Sequence, residues 1–393
     1  MKSLSQSPTD PAFVQDPYPF YERARSHGPF FHWDDYAMVC TGNAAACAAI
    51  YRDRRFGREA PSEVAPIQPL HTEAFYAVEA NSMLELDPPR HTRLRSLVLR
   101  AFTSRRIANL GPEIADLCET LLDAAPGGPF DLLTAYARPL PVIIIARLLG
   151  VPEAMADQLL AWSNAMVGMY QARRTRATED AAATATTEFS DFLRAYVMAR
   201  RTAPADDLIT RLIAAEEDGV RLSTDELIAT CILLLNAGHE ATVHTIGNGV
   251  KTLLAARTPL SALAPTAIEA TVEEILRFDP AIHVFTRWVL EETEVMGHTF
   301  RRGDQVALLM AAANRDPGLW EAPAQFRPDR PIKPHTSFGA GLHFCVGAPL
   351  ARLELQIALP ALFMRMPHLH LTAPPEYADV YHFHGLKTLM VCR

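Results

Sequence analysis

The chain has 393 residues, 49% of them hydrophobic, enough to bury a large core, and its 30 prolines are spread along it without collecting into a linker, so one large domain is expected. A formal net charge of −8 argues against a nucleic-acid footprint. The six cysteines, Cys40, Cys47, Cys118, Cys231, Cys345 and Cys392, lack CxxC spacing, which implies neither a zinc site nor a disulfide framework.

Met1 to Asp16 is polar, with no signal-like apolar run. Nothing approaches the ~18 consecutive apolar residues of a membrane span, and Val142–Ile145 is flanked by Pro141 and Arg147. A soluble, cytoplasmic protein without a membrane anchor is expected. In residues 18–90, Phe30–Trp33 and Met38–Thr41 read as a hairpin, followed by an alanine-rich helix from Asn43. Residues 58–88 are proline-rich and lid-like. Residues 91–280 read as mostly helical, with breaks at Pro126-Gly127-Gly128 and Gly150-Val151-Pro152.

Ser223-Thr224-Asp225-Glu226 fits a capping box, and apolar periodicity then runs to about Ala256. A helix over 223–256 would be roughly 50 Å long and would cross the domain. A second helix, Pro265 to Phe278, stops before Pro280. Residues 281–393 hold strand-like alternation over 284–310, a glycine-flanked cysteine, a helix from Ala348 to about Met366, and a hairpin region from about His368. The class is mainly α with small β-sheets.

Phe338-Gly339-Ala340-Gly341-Leu342-His343-Phe344-Cys345-Val346-Gly347 carries the most specific signal. A free thiol ionises near pH ~8.5, and a helix N-terminus with cations nearby lowers that value. A thiolate so placed can ligate haem iron and favour cleavage of an O–O bond. An isolated cysteine is otherwise a small buried hydrophobe. The stretch resembles the cysteine loop of the cytochrome P450 family, with Phe338, Gly339, Gly341, His343, Cys345 and Gly347 in their family places. That resemblance extends along nearly the whole chain. It implies the family's helix-rich fold, haem b (iron protoporphyrin IX) as cofactor, and Cys345 as the metal ligand.

Other segments agree. Glu274 and Arg277 lie three residues apart on a helix; alone they would be an ordinary surface ion pair worth a few tenths of a kcal/mol. The resemblance makes them the buried ExxR pair, locked by a downstream arginine, Arg327 or Arg330. Asn314-Arg315-Asp316-Pro317 is a further family-like segment. His91, Arg95, Arg287 and His343 match positions that bind the haem propionates, for which a guanidinium is well suited; solvated surface charge is the rival reading.

Leu235 to Thr242 resembles the family's distal segment. Ala237 and Gly238 would leave room for O2, and Glu240 matches the proton-relaying acid. Ala241 departs from the pattern, because a threonine is expected there; Thr242 keeps the second hydroxyl. One residue turns a side chain by about 100°, so Thr242 does not simply substitute. A substrate hydroxyl or an ordered water would replace the missing group, or the protein would prefer peroxide or give an atypical oxidation. For His239 and His244 a solvent-linked role is expected.

The resemblance lines the pocket with Met83, Leu84, Ala237, Ala241, Ile282, His283, Val284, Phe285, His382 and Phe383, although each apolar residue is equally plain core. A mostly apolar substrate follows, such as a terpenoid, polyketide, steroid or aromatic. With no flavin or nicotinamide fingerprint, electrons are expected from a separate ferredoxin and an NAD(P)H-dependent ferredoxin reductase. Arg100, Arg105, Arg106 and Arg352 would form the docking patch, unless they are scattered surface charge. The expected activity is haem-thiolate monooxygenation; a haem-binding sensor that does not oxygenate is the alternative from another class.

Overall fold

Alternating apolar residues in the hairpin bury one face, and Phe31–Trp33 pairs antiparallel with Met38–Thr41 in the computed structural model, which describes residues 1–172, 174–217 and 219–393. The Asn43 side chain accepts from the Ala46 N–H at 2.9 Å and so starts the helix Ala44–Arg52. The polar N-terminus does more than expected: Lys2–Leu4 adds a parallel strand beside Phe31–Trp33. The sheet continues through Gln305–Leu309 and Val284–Val289 to Phe56–Gly57, six strands in all. Successive side chains of a strand point to opposite faces, so Phe285 and Arg287 share one face of Val284–Val289.

Helices supply the rest. The long helix runs Thr224–Ala255, and its capping box is complete: Ser223 accepts from the Glu226 N–H at 3.1 Å and Glu226 accepts from the Ser223 N–H at 2.9 Å. Its length is about 48 Å. It packs against the helices Pro139–Leu149, Arg176–Thr202 and Ile268–Phe278, inside the main apolar core. An all-round apolar helix is a buried one, which explains its position. The second helix begins at Ile268, later than Pro265. Within the lid-like stretch lies a short helix, Glu73–Glu79, whose Phe75 is buried.

The cysteine helix, Ala348–Arg365, and two small C-terminal pairings complete the chain: His370–Leu371 with Met390–Cys392, and Glu376–Tyr377 with Leu386–Thr388. The fold is mainly α with small sheets, in a single domain. No helix among the described residues is long and apolar enough to cross a membrane.

Candidate active site

The cysteine loop is closed by the Cys345 N–H, which donates to the Phe338 carbonyl at 3.0 Å. Gly339 and Gly341 adopt φ of +65° and +70°, and a Cβ at Gly341 would collide with the Tyr51 carbonyl, so glycine is required there. Gly347 differs, with φ −80° at the cap of the following helix. Cys345 is exposed, yet burial is the main influence on its thiol and pushes it up, against the pull of the Gly347 and Ala348 N–H groups and of Arg95 and Arg352. The two facts together put the sulfur on the floor of a recess. They also correct the expectation of a thiol lowered by its helix end: burial outweighs the helix.

Two cations ring the recess. Arg95 reaches the carbonyl of Phe344, beside the cysteine, at 2.7 Å. Arg287 is 4% exposed, donates to the carbonyl of its neighbour Thr286, at 2.8 Å, and stacks over Tyr51. Among the described residues no carboxylate lies within ion-pair distance of it, and burial followed by the charge of Arg58 pushes its guanidinium down to about 10 against the weaker pull of Asp87 and Glu85. His91 and His343 face each other with ring centroids 4.2 Å apart, and His343 Nε2 lies 3.4 Å from Asp87. His91 Nδ1 and the Tyr51 hydroxyl are buried without partners. A buried guanidinium and orphaned donors beside a recessed thiol fit an iron porphyrin with two carboxylates: Arg95, Arg287, His91 and His343 would hold the carboxylates and Cys345 the metal.

The support behind the loop is a buried network. Glu274, 3% exposed, accepts two bonds of 2.7 Å from Arg277, 1% exposed. Arg277 also donates to the carbonyls of Asn314 and Pro323, at 3.0 and 2.9 Å. The third partner is Arg330, 3.2 Å from Glu274, whereas Arg327 contributes its backbone N–H at 2.8 Å. The Arg327 side chain turns to solvent, 3.9 Å from Asp329. Arg330 rather than Arg327 therefore supplies the locking side chain, because Arg330 can also satisfy the Glu321 carbonyl at 2.7 Å. Asn314 binds Ser337 at 2.7 Å, and Ser337 donates to the Leu276 carbonyl at 2.6 Å, joining the ExxR helix to the cysteine loop.

A second tie went unread. Arg352 makes two bonds to Glu273, at 2.6 and 2.9 Å, and stacks on Phe338. Glu273 also meets His335 at 3.2 Å. Burial raises its carboxyl, but these partners prevail and hold it at about 2. Arg352 is thus committed to the helix behind the loop, and Arg106 is shared with Asp206 at 3.5 Å, so neither is an open docking cation.

On the long helix, Ala237 is exposed and Ala241 half-buried, one turn apart on one face. Gly238 is half-buried beside Ile145, and a Cβ there would meet that side chain at 3.5 Å, an ordinary packing distance. Thr242 is buried, and its hydroxyl donates back to the Gly238 carbonyl at 3.1 Å. It has no hydrogen to spare. Glu240 lies 3.0 Å from His244 and 3.4 Å from His239, and His239 is fully buried, against the solvent-linked role expected of it.

Of the pocket residues, Met83 and Val284 are buried in core clusters, while Leu84, Ile282, Phe285 and Phe383 are partly exposed, with Ile282 bridged to Phe383. His283 is buried on Tyr21, at 2.9 Å. Polar residues gather beside Phe285 that the pattern did not reveal. Arg58 sits over its ring and pairs with Glu85, and Tyr170 donates to Glu79 at 2.7 Å. Their partners lie far apart in sequence, so no local signal marks them.

Known proteins resemble this chain in sequence and fold. A family model described as Cytochrome P450 matches residues 266–375. The polyketide biosynthesis cytochrome P450 PksS of Bacillus subtilis is 35% identical over 388 residues, covering 96% of this chain and 95% of that protein. The cytochrome P450 monooxygenase PikC of Streptomyces venezuelae is 38% identical over 394 residues, covering 96% and 91%. The crystal structure of P450BioI in complex with a hexadec-9Z-enoic acid ligated acyl carrier protein superposes with a TM-score of 0.92 at 33% identity, covering 97% of this chain and 99% of that one. With its recessed cysteine, its buried ExxR network and relatives alike over almost their full length, this chain belongs to the cytochrome P450 family.

Proposed function

We propose that this cytochrome P450 monooxygenase uses haem b and O2 to hydroxylate a mostly apolar small molecule of polyketide type, with electrons from a ferredoxin and its NAD(P)H-dependent reductase. One observation carries the reading: a recessed thiol at Cys345 flanked by Arg95 and the buried Arg287, which forms no ion pair among the described residues. The polyketide class is supported by the name of PksS.

Haem supplies, when bound, the one-electron and dioxygen chemistry that the side chains lack. The chain's own residues bind and orient it through Cys345, Arg95, Arg287, His91 and His343. Glu274, Arg277 and Arg330 keep the loop rigid, which limits the error in the position of the sulfur. Ala237 and Ala241 leave the exposed face of the long helix free of bulk. Glu240 is the one carboxylate of that segment and holds or passes the protons. Leu84, Ile282, Phe285 and Phe383 offer apolar surface to the substrate, and the Arg58–Glu85 and Glu79–Tyr170 pairs add polar anchors beside it.

Optical titration of the ferric protein with macrolides, terpenoids, steroids and aromatic acids tests the substrate class. A low- to high-spin shift is expected with macrolides; a shift only with another class would replace the polyketide reading. Arg105→Ala is expected to slow ferredoxin-driven reduction and spare reduction by dithionite.

The hydroxyls at 242 and 245 are both spent on helix carbonyls, Gly238 at 3.1 Å and Ala241 at 2.7 Å. That favours proton delivery through a substrate hydroxyl or an ordered water, with peroxide use as the second reading. Ala241→Thr distinguishes them by product formed per NAD(P)H consumed. A rise with every substrate would set substrate assistance aside.

A further inference from the structure

Glu240 and His244 stand one turn apart on the long helix, on the same face. The His244 Nε2 lies 3.0 Å from Glu240 Oε1, and a carboxylate accepts, so the hydrogen is on Nε2. The opposite ring nitrogen, Nδ1, is buried with no partner. A Cβ at Gly385 would land on this ring, so the C-terminal segment makes room for an imidazole at 244. His239 approaches from the other side: its Nδ1 donates to the Leu235 carbonyl at 2.9 Å, and its Nε2 lies 3.4 Å from Glu240 Oε2 without a hydrogen bond.

No other charged side chain is paired with Glu240 among the described residues. The segment packed on His244 presents the Phe383 ring, 6.0 Å away, and Gly385. Its own histidines are engaged elsewhere, His384 with Asp279 at 3.0 Å and His382 beside Tyr36 at 5.8 Å. Burial pushes the Glu240 carboxyl up, but the two histidines outweigh it and hold it well below the usual carboxylate range.

A buried imidazole with one orphaned nitrogen is poor packing, since an apolar side chain would fill the same place without leaving a polar atom unsatisfied. The pair also falls where this chain lacks the distal threonine. We propose that His244 is a positioning residue: its Nε2–H turns the Glu240 carboxylate along the helix toward the C-terminal segment, taking over the orienting role that no hydroxyl fills at 241. This rests on the reading of Glu240 as the proton-handling acid.

The test uses the holoenzyme and the variants His244→Phe and His244→Gln. Glutamine can still donate to Glu240, whereas phenylalanine cannot. In His244→Phe, product per NAD(P)H should fall about tenfold, short of the roughly hundredfold that a positioned acid contributes. The acid limb of its pH profile should move upward, because burial then acts on Glu240 with one partner fewer. Glutamine should restore most of the coupling. Equal coupling and equal profiles in wild type and His244→Phe would overturn the proposal, as would a loss that glutamine fails to repair.

A readout independent of turnover is nitrogen-15 NMR of histidine-labelled protein in the diamagnetic ferrous carbon-monoxide form. One ring carrying hydrogen on Nε2 should shift in Glu240→Gln; no responding ring would refute the contact. A wild type that binds haem through thiolate but never turns over would instead count against the monooxygenase reading.

Discussion

The locking arginine behind the cysteine loop offers a direct test of how the site is held. Arg330→Ala removes a guanidinium that is 7% exposed and leaves Glu274 with Arg277 and the Arg327 N–H. It also strips donors from the carbonyls of Glu321, at 2.7 Å, and Ala322, at 3.3 Å. Breaking a buried ion pair costs about 3–5 kcal/mol. Because Arg277 still neutralises the carboxylate, the low end applies, about 3–4 kcal/mol. Arg327→Ala keeps the backbone N–H and loses only a 3.9 Å contact to Asp329, which is 80% exposed. Its effect should stay within about 0.5 kcal/mol. At roughly 2.1 cal/mol/K per residue, the 393-residue chain should lose about 4–5 °C of thermal midpoint in Arg330→Ala and under about 1 °C in Arg327→Ala. Scans of both holoproteins at one heating rate, with haem content read from the thiolate carbon-monoxide spectrum, measure this. Equal losses in the two variants would refute the assignment of the lock to Arg330.

Three further outcomes follow from buried charge. Arg287→Leu should stabilise the apoprotein, since burial pushes that guanidinium down to about 10. It should also speed haem transfer to a scavenging apoprotein roughly 10- to 100-fold, the equivalent of a charge-assisted bond of about 1.5–3 kcal/mol. Glu79→Gln should stabilise the fold increasingly as pH rises from 4.5 to about 8, because burial, then Glu85, raises its carboxyl to about 8. The folded state then keeps a proton that the unfolded chain has lost; melts at pH 4.5 and 8.5 should show no gain and the full gain. Arg352→Ala should destabilise at neutral pH by releasing Glu273, held at about 2. The difference from wild type should shrink as pH falls below 4.5 toward 2, where that carboxyl takes up its proton in both proteins.

Much of the site was legible because its chemistry is local in sequence. Ser223 and Glu226 cap the long helix within one turn, Glu274 and Arg277 meet at i,i+3, and positive φ at Gly339 and Gly341 shapes the loop around Cys345. The hairpin at residues 31–41 and the cysteine helix follow the same logic of period and cap. Residues whose roles depend on partners across the chain were not legible. Arg330 displaces Arg327 as the lock by reaching Glu274 from 56 positions away. Glu273 finds Arg352 79 positions on, and Glu79 finds Tyr170 91 positions on. Spacing by itself carries no information about such pairs. The strand Lys2–Leu4 likewise exists because Phe31–Trp33 offers it unpaired backbone groups, not because its side chains alternate.

The amino-acid sequence alone determined the family, the mainly α class and the absent threonine at 241, since each is written in contiguous or helically spaced residues. Tertiary structure alone decided that Arg287 is buried over Tyr51, that the Thr242 hydroxyl is spent, and that His244 meets Glu240. Those outcomes depend on burial and on distances between elements, and packing, not local spacing, sets both.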